Sequence, residues 1–91
     1  MNDSDRYSVS DKVTWKDLGE SIVVLNLVSS EYYTLNESAS FIWRALSQGN
    51  SVAEMQALLL DAYDAEPETI REALQSNLDE WTAEGVIVPA V

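Results

Sequence analysis

Carboxylates are the one reactive group this chain carries in quantity. Sixteen Asp and Glu stand against five Lys and Arg, for a net charge of −11. Acid–base or metal chemistry would need two or three of them to converge on one point. Asp79 and Glu80 are neighbours in a helical stretch, where adjacent side chains diverge. Asp61, Asp64 and Glu66 lack the glycine and the ligand spacing of a calcium loop. Histidine and cysteine are both absent. That removes the usual general base, the commonest metal ligands and any base to activate a serine or threonine. Gly19, Gly49 and Gly85 stand alone, so no phosphate-cradling loop is present. These residues are expected to bind rather than react: no catalytic site, no metal, no cofactor.

The charge also limits the partners. From Glu54 onward nine acidic residues face Arg71 alone. Nucleic acid is excluded because its affinity comes mostly from Lys and Arg meeting phosphates, and an anionic membrane surface is disfavoured for the same reason. The acidity either keeps a small protein soluble or accommodates a neutral or basic peptide. The start, MNDSDRYS, is polar and reads as neither signal peptide nor anchor. No later run reaches the roughly 20 apolar residues of a membrane span. The expectation is one soluble cytoplasmic domain over residues 1–91, with 1–8 frayed.

The elements follow from period and punctuation. Val9, Asp11, Val13 and Trp15 alternate with Ser10, Lys12, Thr14 and Lys16, the pattern of a first strand with one wet face. Asp17–Glu20 turns, and Ile22–Val28 reads as a middle strand apolar on both faces. Ser29–Ser30 turns again, and Glu31–Leu35 forms a third strand rich in aromatic and β-branched types. The period then changes at Asn36, a cap for a helix over Glu37–Gln48 that stops at Gly49. Ser51 with Glu54 makes a capping box for a second helix. Pro67 opens a third, with Ile70, Ala73, Leu74, Leu78 and Trp81 on its apolar stripe and Gly85 at its end. Val86–Val88 is too short for a helix and is expected to dock as a tail or short strand. Trp43 fits the core. Trp81, near a helix end, fits either the core or a partner's anchor. The fold class is α+β, winged helix-turn-helix-like: a three-stranded antiparallel sheet followed by three helices.

The two sheet edges differ. Lys12 and Lys16 blunt the first strand against unwanted pairing, whereas the third has neither Lys nor Pro. Such an edge is covered either by the chain's own C-terminal segment or by a partner peptide adding a strand.

Residues 31–44, EYYTLNESASFIWR, carry a resemblance. A tyrosine, one residue, Leu-Asn, a small residue at 39 and Ile-Trp at 42–43 is similar to the signature of PqqD-like proteins. The hairpin before it, the Gly-x-Ser turn after it and the closing Gly-Val-Ile extend the resemblance over nearly the whole chain. It implies a stand-alone recognition element for ribosomally made, modified peptides (RiPPs). The acid-rich third helix and the Ile-Trp pair are more like the lasso-peptide kind. In the family the leader of a precursor peptide lies as an antiparallel strand along the third strand, clamped by the third helix. Carried over by position, the backbone of Glu31, Tyr32, Tyr33 and Thr34 would pair with the leader. Ala73, Leu74, Asn77, Leu78 and Trp81 would supply groove and pockets. The partners implied are the leader and a separate maturation enzyme, either a leader peptidase or a radical-SAM enzyme. An acidic winged-helix regulatory or protein-interaction module fits the same element pattern.

Overall fold

The computed structural model describes residues 2–90, so Met1 and Val91, the ends of the expected domain, lie outside the described residues. Its elements are β1 (Tyr7–Val9), β2 (Val13–Asp17), β3 (Ile22–Asn26), β4 (Tyr32–Leu35), α1 (Glu37–Ser47), α2 (Val52–Ala62), α3 (Pro67–Glu84) and β5 (Ile87–Pro89). The expected α+β fold is present: β2, β3 and β4 form an antiparallel meander with β4 at one edge, followed by three helices.

Three of the expected strands differ in extent. The first breaks in two, because Ser10 donates its N–H to the Val86 carbonyl and its hydroxyl accepts from Lys12 N–H, turning the chain between β1 and β2. β3 stops at Asn26, whose side-chain oxygen takes the N–H groups of Val28 (2.9 Å) and Ser29 (3.2 Å) and bends the chain. Leu27 and Val28 therefore leave the sheet and are exposed. β4 starts at Tyr32, while the Glu31 carbonyl still accepts from Asn26 N–H.

The N-terminal segment is also engaged, against the expected fraying. Tyr7–Val9 pair with Ile87–Pro89 in a separate two-stranded ribbon, and Arg6 bridges to Ser51. The reason lies at the start of α2, where the first amides of a helix have no internal partner. Val52 N–H donates to the Asp5 carbonyl and Ala53 N–H to the Asp3 carbonyl, both at 2.9 Å. Glu54 N–H donates to the Ser51 hydroxyl, completing the capping box. Arg6 then pairs with Glu54 at 3.1 Å.

The core lies between the inner sheet face and the helices. Val13, Ile22, Val24 and Leu35 contribute from the sheet, with Ile42, Trp43, Leu46, Met55, Leu74, Leu78 and Trp81 from the helices, all buried. Trp43 stands edge-on to Trp15 of β2 (6.2 Å between centroids) and to Trp81 of α3 (5.1 Å), so three aromatic rings bridge the sheet to the last helix.

Ser40 joins sheet to helix at one point. Its hydroxyl, fully buried, accepts from Ile22 N–H at 3.0 Å and donates to the Leu35 carbonyl at 3.2 Å. The β4–α1 corner thus closes the end of the β3–β4 ladder. Ser40→Ala strips a partner from two buried backbone groups, which costs about 1–3 kcal/mol. Chemical denaturation should show that loss with an unchanged denaturant slope.

Arg44 of α1 holds the β2–β3 turn through two bonds to the Asp17 carboxylate, 2.6 and 2.8 Å, and one to the Gly19 carbonyl. The Arg44 hydrogen bond, then the Gly19 N–H, lower the Asp17 carboxyl from 3.8 to about 2. A lowered folded-state value means that the pair stabilises the fold above pH 3.8 and that this contribution is lost as pH falls toward 2. Asp17→Asn should therefore lower the melting temperature at neutral pH, and the gap from the parent should close between pH 4 and 2.

Candidate functional site

β4 is the edge strand of its sheet, and its ladder fixes which groups face outward. Asn26 N–H donates to the Glu31 carbonyl, and Ile22 N–H points to the Leu35 side through Ser40. Backbone groups in an antiparallel strand alternate between the two neighbours. In the register Val24↔Tyr33, Val23↔Thr34 and Leu25↔Tyr32, Tyr33 therefore turns its N–H and C=O toward β3. Tyr32 and Thr34 turn theirs to the free side. The C-terminal segment does not cover this edge, since β5 pairs with β1. Two outward N–H and two outward C=O groups in a row are a template for another strand.

Side chains follow the opposite alternation to build two environments. Tyr33 and Leu35 lie on the inner face, half-buried and buried, while Tyr32 and Thr34 on the outer face are exposed. Beside the inner face runs a groove of about 410 Å³ between β4 and α3, with Leu35, Asn36, Ala39, Asn77 and Trp81 among its walls. Asn36 takes part because it caps α1, accepting Ala39 N–H at 2.8 Å. Toward the β3–β4 turn the groove continues past Tyr33 and Glu84 into a smaller cleft lined by Asn26, Ser29 and Glu31.

The helix wall has a simple origin. Asn77, Glu80, Trp81 and Glu84 recur at i, i+3, i+4 and i+7, which places them on one face of α3. Trp81 is only 2% exposed, so it closes the floor of the groove while completing the core. Leu74 and Leu78 fall on the adjacent stripe and are entirely within the core. Ala73 is exposed one turn before Asn77, and its carbonyl accepts the Asn77 side-chain amide at 3.0 Å. The structure thus brings Glu31, Tyr33, Thr34, Asn77 and Trp81 together along the groove. Tyr32 stands on the outer face, Ala73 lies beyond the groove's end, and Leu74 and Leu78 lie beneath its surface. Leu35, Asn36, Ala39 and Glu84 join the site without being expected there from sequence, and Glu80 lines it too. The i, i+3, i+4, i+7 spacing from Asn77 is the signal that points to the two glutamates.

The electrostatics are one-sided, for Glu31, Glu80 and Glu84 line the groove without a basic residue among them. Burial is the main cause, with the negative charge of Glu84 next, that pushes the Tyr33 hydroxyl up to about 12, so it stays neutral. That hydroxyl is buried and meets no partner at full hydrogen-bond geometry, while the Glu84 carboxylate beside it pushes it up both by charge and as an acceptor. A second cleft of about 420 Å³ on the far side of α1 is walled by Phe41, Arg44 and Tyr63. There the basic group is already spent, Arg44 on Asp17 and Gly19, and Phe41 stacks edge-on with Tyr63. Among the described residues no group of three or more His, Cys, Asp or Glu is placed to hold a metal ion, and no helix is long and apolar enough to cross a membrane.

Two solved structures share this architecture. One is TbiB1 in complex with the TbiA(beta) leader peptide, at 22% identity and a TM-score of 0.83, covering 88% of this chain and 93% of that one. The other is lasso peptide synthetase B1 complexed with the leader peptide, at 21% identity and a TM-score of 0.83, covering 92% and 99%. No curated protein sequence matches this chain. Residues 21–87, from the start of β3 to the first residue of β5, match the family described as coenzyme PQQ synthesis protein D, and with most of its length inside that match the chain belongs to the PqqD family.

Proposed function

We propose that this chain binds the leader segment of a ribosomally made precursor peptide as an antiparallel strand along β4 and presents it to a separate maturation enzyme. One observation carries the reading: the outward N–H and C=O groups of Tyr32 and Thr34 lie unpaired beside a groove walled by α3. Strand addition satisfies those groups, and side chains on alternate residues of the guest reach the groove. The resemblance to leader-bound lasso peptide synthetase B1 structures supports a lasso-type role, with a leader-cleaving peptidase as the enzyme served.

The remaining parts of the reading follow from the same chemistry. The chain acts as one domain without a cofactor and performs no catalysis of its own, because His and Cys are missing and its carboxylates do not converge. It works in the cytoplasm, where ribosomal precursors are made. Holding the leader raises the effective concentration of the attached core peptide at the enzyme. The acidic groove repels phosphates, which sets the reading apart from a DNA-binding winged helix.

The ladder parity turns this reading into a paired test. Thr34→Pro removes an N–H that has no partner in the free protein and sets a ring on the open edge, where proline is tolerated. Tyr33→Pro removes an N–H that belongs to the β3 pairing and costs about 1–3 kcal/mol. Titration with the leader of the precursor encoded beside this chain should show binding lost by more than tenfold in Thr34→Pro, with its circular dichroism and melting unchanged. Tyr33→Pro should lower the melting temperature instead. Parent-like affinity in a folded Thr34→Pro variant would overturn strand addition.

A further inference from the structure

The ladder parity also dictates what the guest strand must carry, and this inference rests on the proposed strand addition. In an antiparallel guest, residues opposite Tyr32 and Thr34 exchange backbone hydrogen bonds with them. The guest residue between those two faces Tyr33, and its side chain stands on the same face, Cβ to Cβ at about 5 Å. It therefore enters the groove at the point where Tyr33 and Glu84 line both of its compartments. Carboxylates line the compartments on either side of that point: Glu80 and Glu84 from α3 in one, Glu84 and Glu31 in the other. The Tyr33 hydroxyl lies buried beside the Glu84 carboxylate at that point. Two residues earlier in the guest, the side chain opposite Leu35 meets an apolar floor of Leu35, Ala39 and Trp81 between Asn36 and Asn77.

We propose that the groove selects a guest with an apolar residue followed two positions later by lysine or arginine, the basic side chain lying between Tyr33 and the Glu80–Glu84 pair. An apolar side chain there would leave the lining carboxylates without a counter-charge, and an acidic one would be repelled by them. A cation answers both conditions by donating to the carboxylates.

Selection from a displayed library of randomised linear peptides on the immobilised full chain tests this whatever the sequence of the natural leader. Enriched sequences should align on an apolar residue, any residue, then Lys or Arg. Changing that Lys to Gln in a single clone should weaken binding about fivefold, an effect that shrinks as salt rises. Selection on the Glu80→Lys/Glu84→Lys double variant should move the preference at that position to Asp or Glu. Asp61→Lys/Glu68→Lys makes the same change in net charge away from the groove and should leave the preference in place, which separates local recognition from attraction to an acidic protein.

The two levels of the reading fail differently. Clones that lose binding on Thr34→Pro yet show no basic preference, or keep one on the Glu80/Glu84 variant, overturn the charge selection and leave strand addition standing. Clones that bind Thr34→Pro as well as the parent overturn strand addition, and this proposal with it.

Discussion

Trp43 is the contact on which the groove depends. Its indole is fully buried between Trp15 of β2 and Trp81 of α3, and both neighbours meet it edge-on. Aromatic rings in this arrangement are stiff spacers, since each has few rotamers and a preferred centroid distance. The distance from sheet to α3 is therefore set by ring size rather than by flexible aliphatic packing. Trp81 holds both ends of this logic, finishing the core on one side and flooring the groove on the other. A smaller residue at 43 would let α3 settle toward the sheet and close the space that a guest strand needs.

The second constraint is where the open edge is left. The β2–β3–β4 sheet has two edges, and they are managed in opposite ways. β2 carries Lys16 and is followed inward by the Arg44–Asp17 clamp at its turn. β4 carries no such guard, and the segment that could have covered it is occupied, because β5 pairs with β1 in a ribbon of its own. That choice is enforced from the N-terminus. Asp3 and Asp5 lend their carbonyls to the first amides of α2, which draws β1 into place for β5 to pair with. An exposed strand edge is an aggregation hazard, and under the proposed strand addition a guest peptide covers it. The local acidity lowers the hazard meanwhile, because two copies of this edge would bring like-charged glutamates together.

Much of this was legible in the sequence, and the gaps have physical causes. Asn36, the Ser51–Glu54 box, Pro67 and Gly85 mark helix ends through local hydrogen-bonding chemistry, and local chemistry can be read from local residues. β4 and its open edge were legible too, from composition and from missing guard residues. The β1–β5 ribbon was not, because three-residue strands carry too little period to recognise and their partners lie at opposite ends of the chain. The break at Ser10 was hidden for a related reason: alternation continues across it, and only the bond to Val86, far along the chain, reveals the turn. In α3 the apolar stripe is plain from spacing, but its border is not. Leu74 and Leu78 are expected to shape pockets, yet apolarity alone does not distinguish the middle of a buried stripe from its rim. Glu80 and Glu84 look like part of a solvated face until β4 is placed opposite them.

The division between backbone and side chains explains why the groove is acidic where it is. Backbone pairing along Tyr32 and Thr34 is blind to sequence, and any extended peptide could use it. Selectivity must then come from the positions where guest side chains enter, and the parity of β4 allows few of them. An apolar pocket discriminates weakly, since a methylene more or less changes binding by only about 1–3 kcal/mol. A charged position adds rejection, because burying the wrong sign or an unpaired polar group is costly. Under the proposed strand addition, Glu31, Glu80 and Glu84 along the groove would give this small domain a way to refuse acidic segments that its open edge would otherwise accept. On that proposal, the negative charge at the groove supplies the discrimination that strand addition cannot.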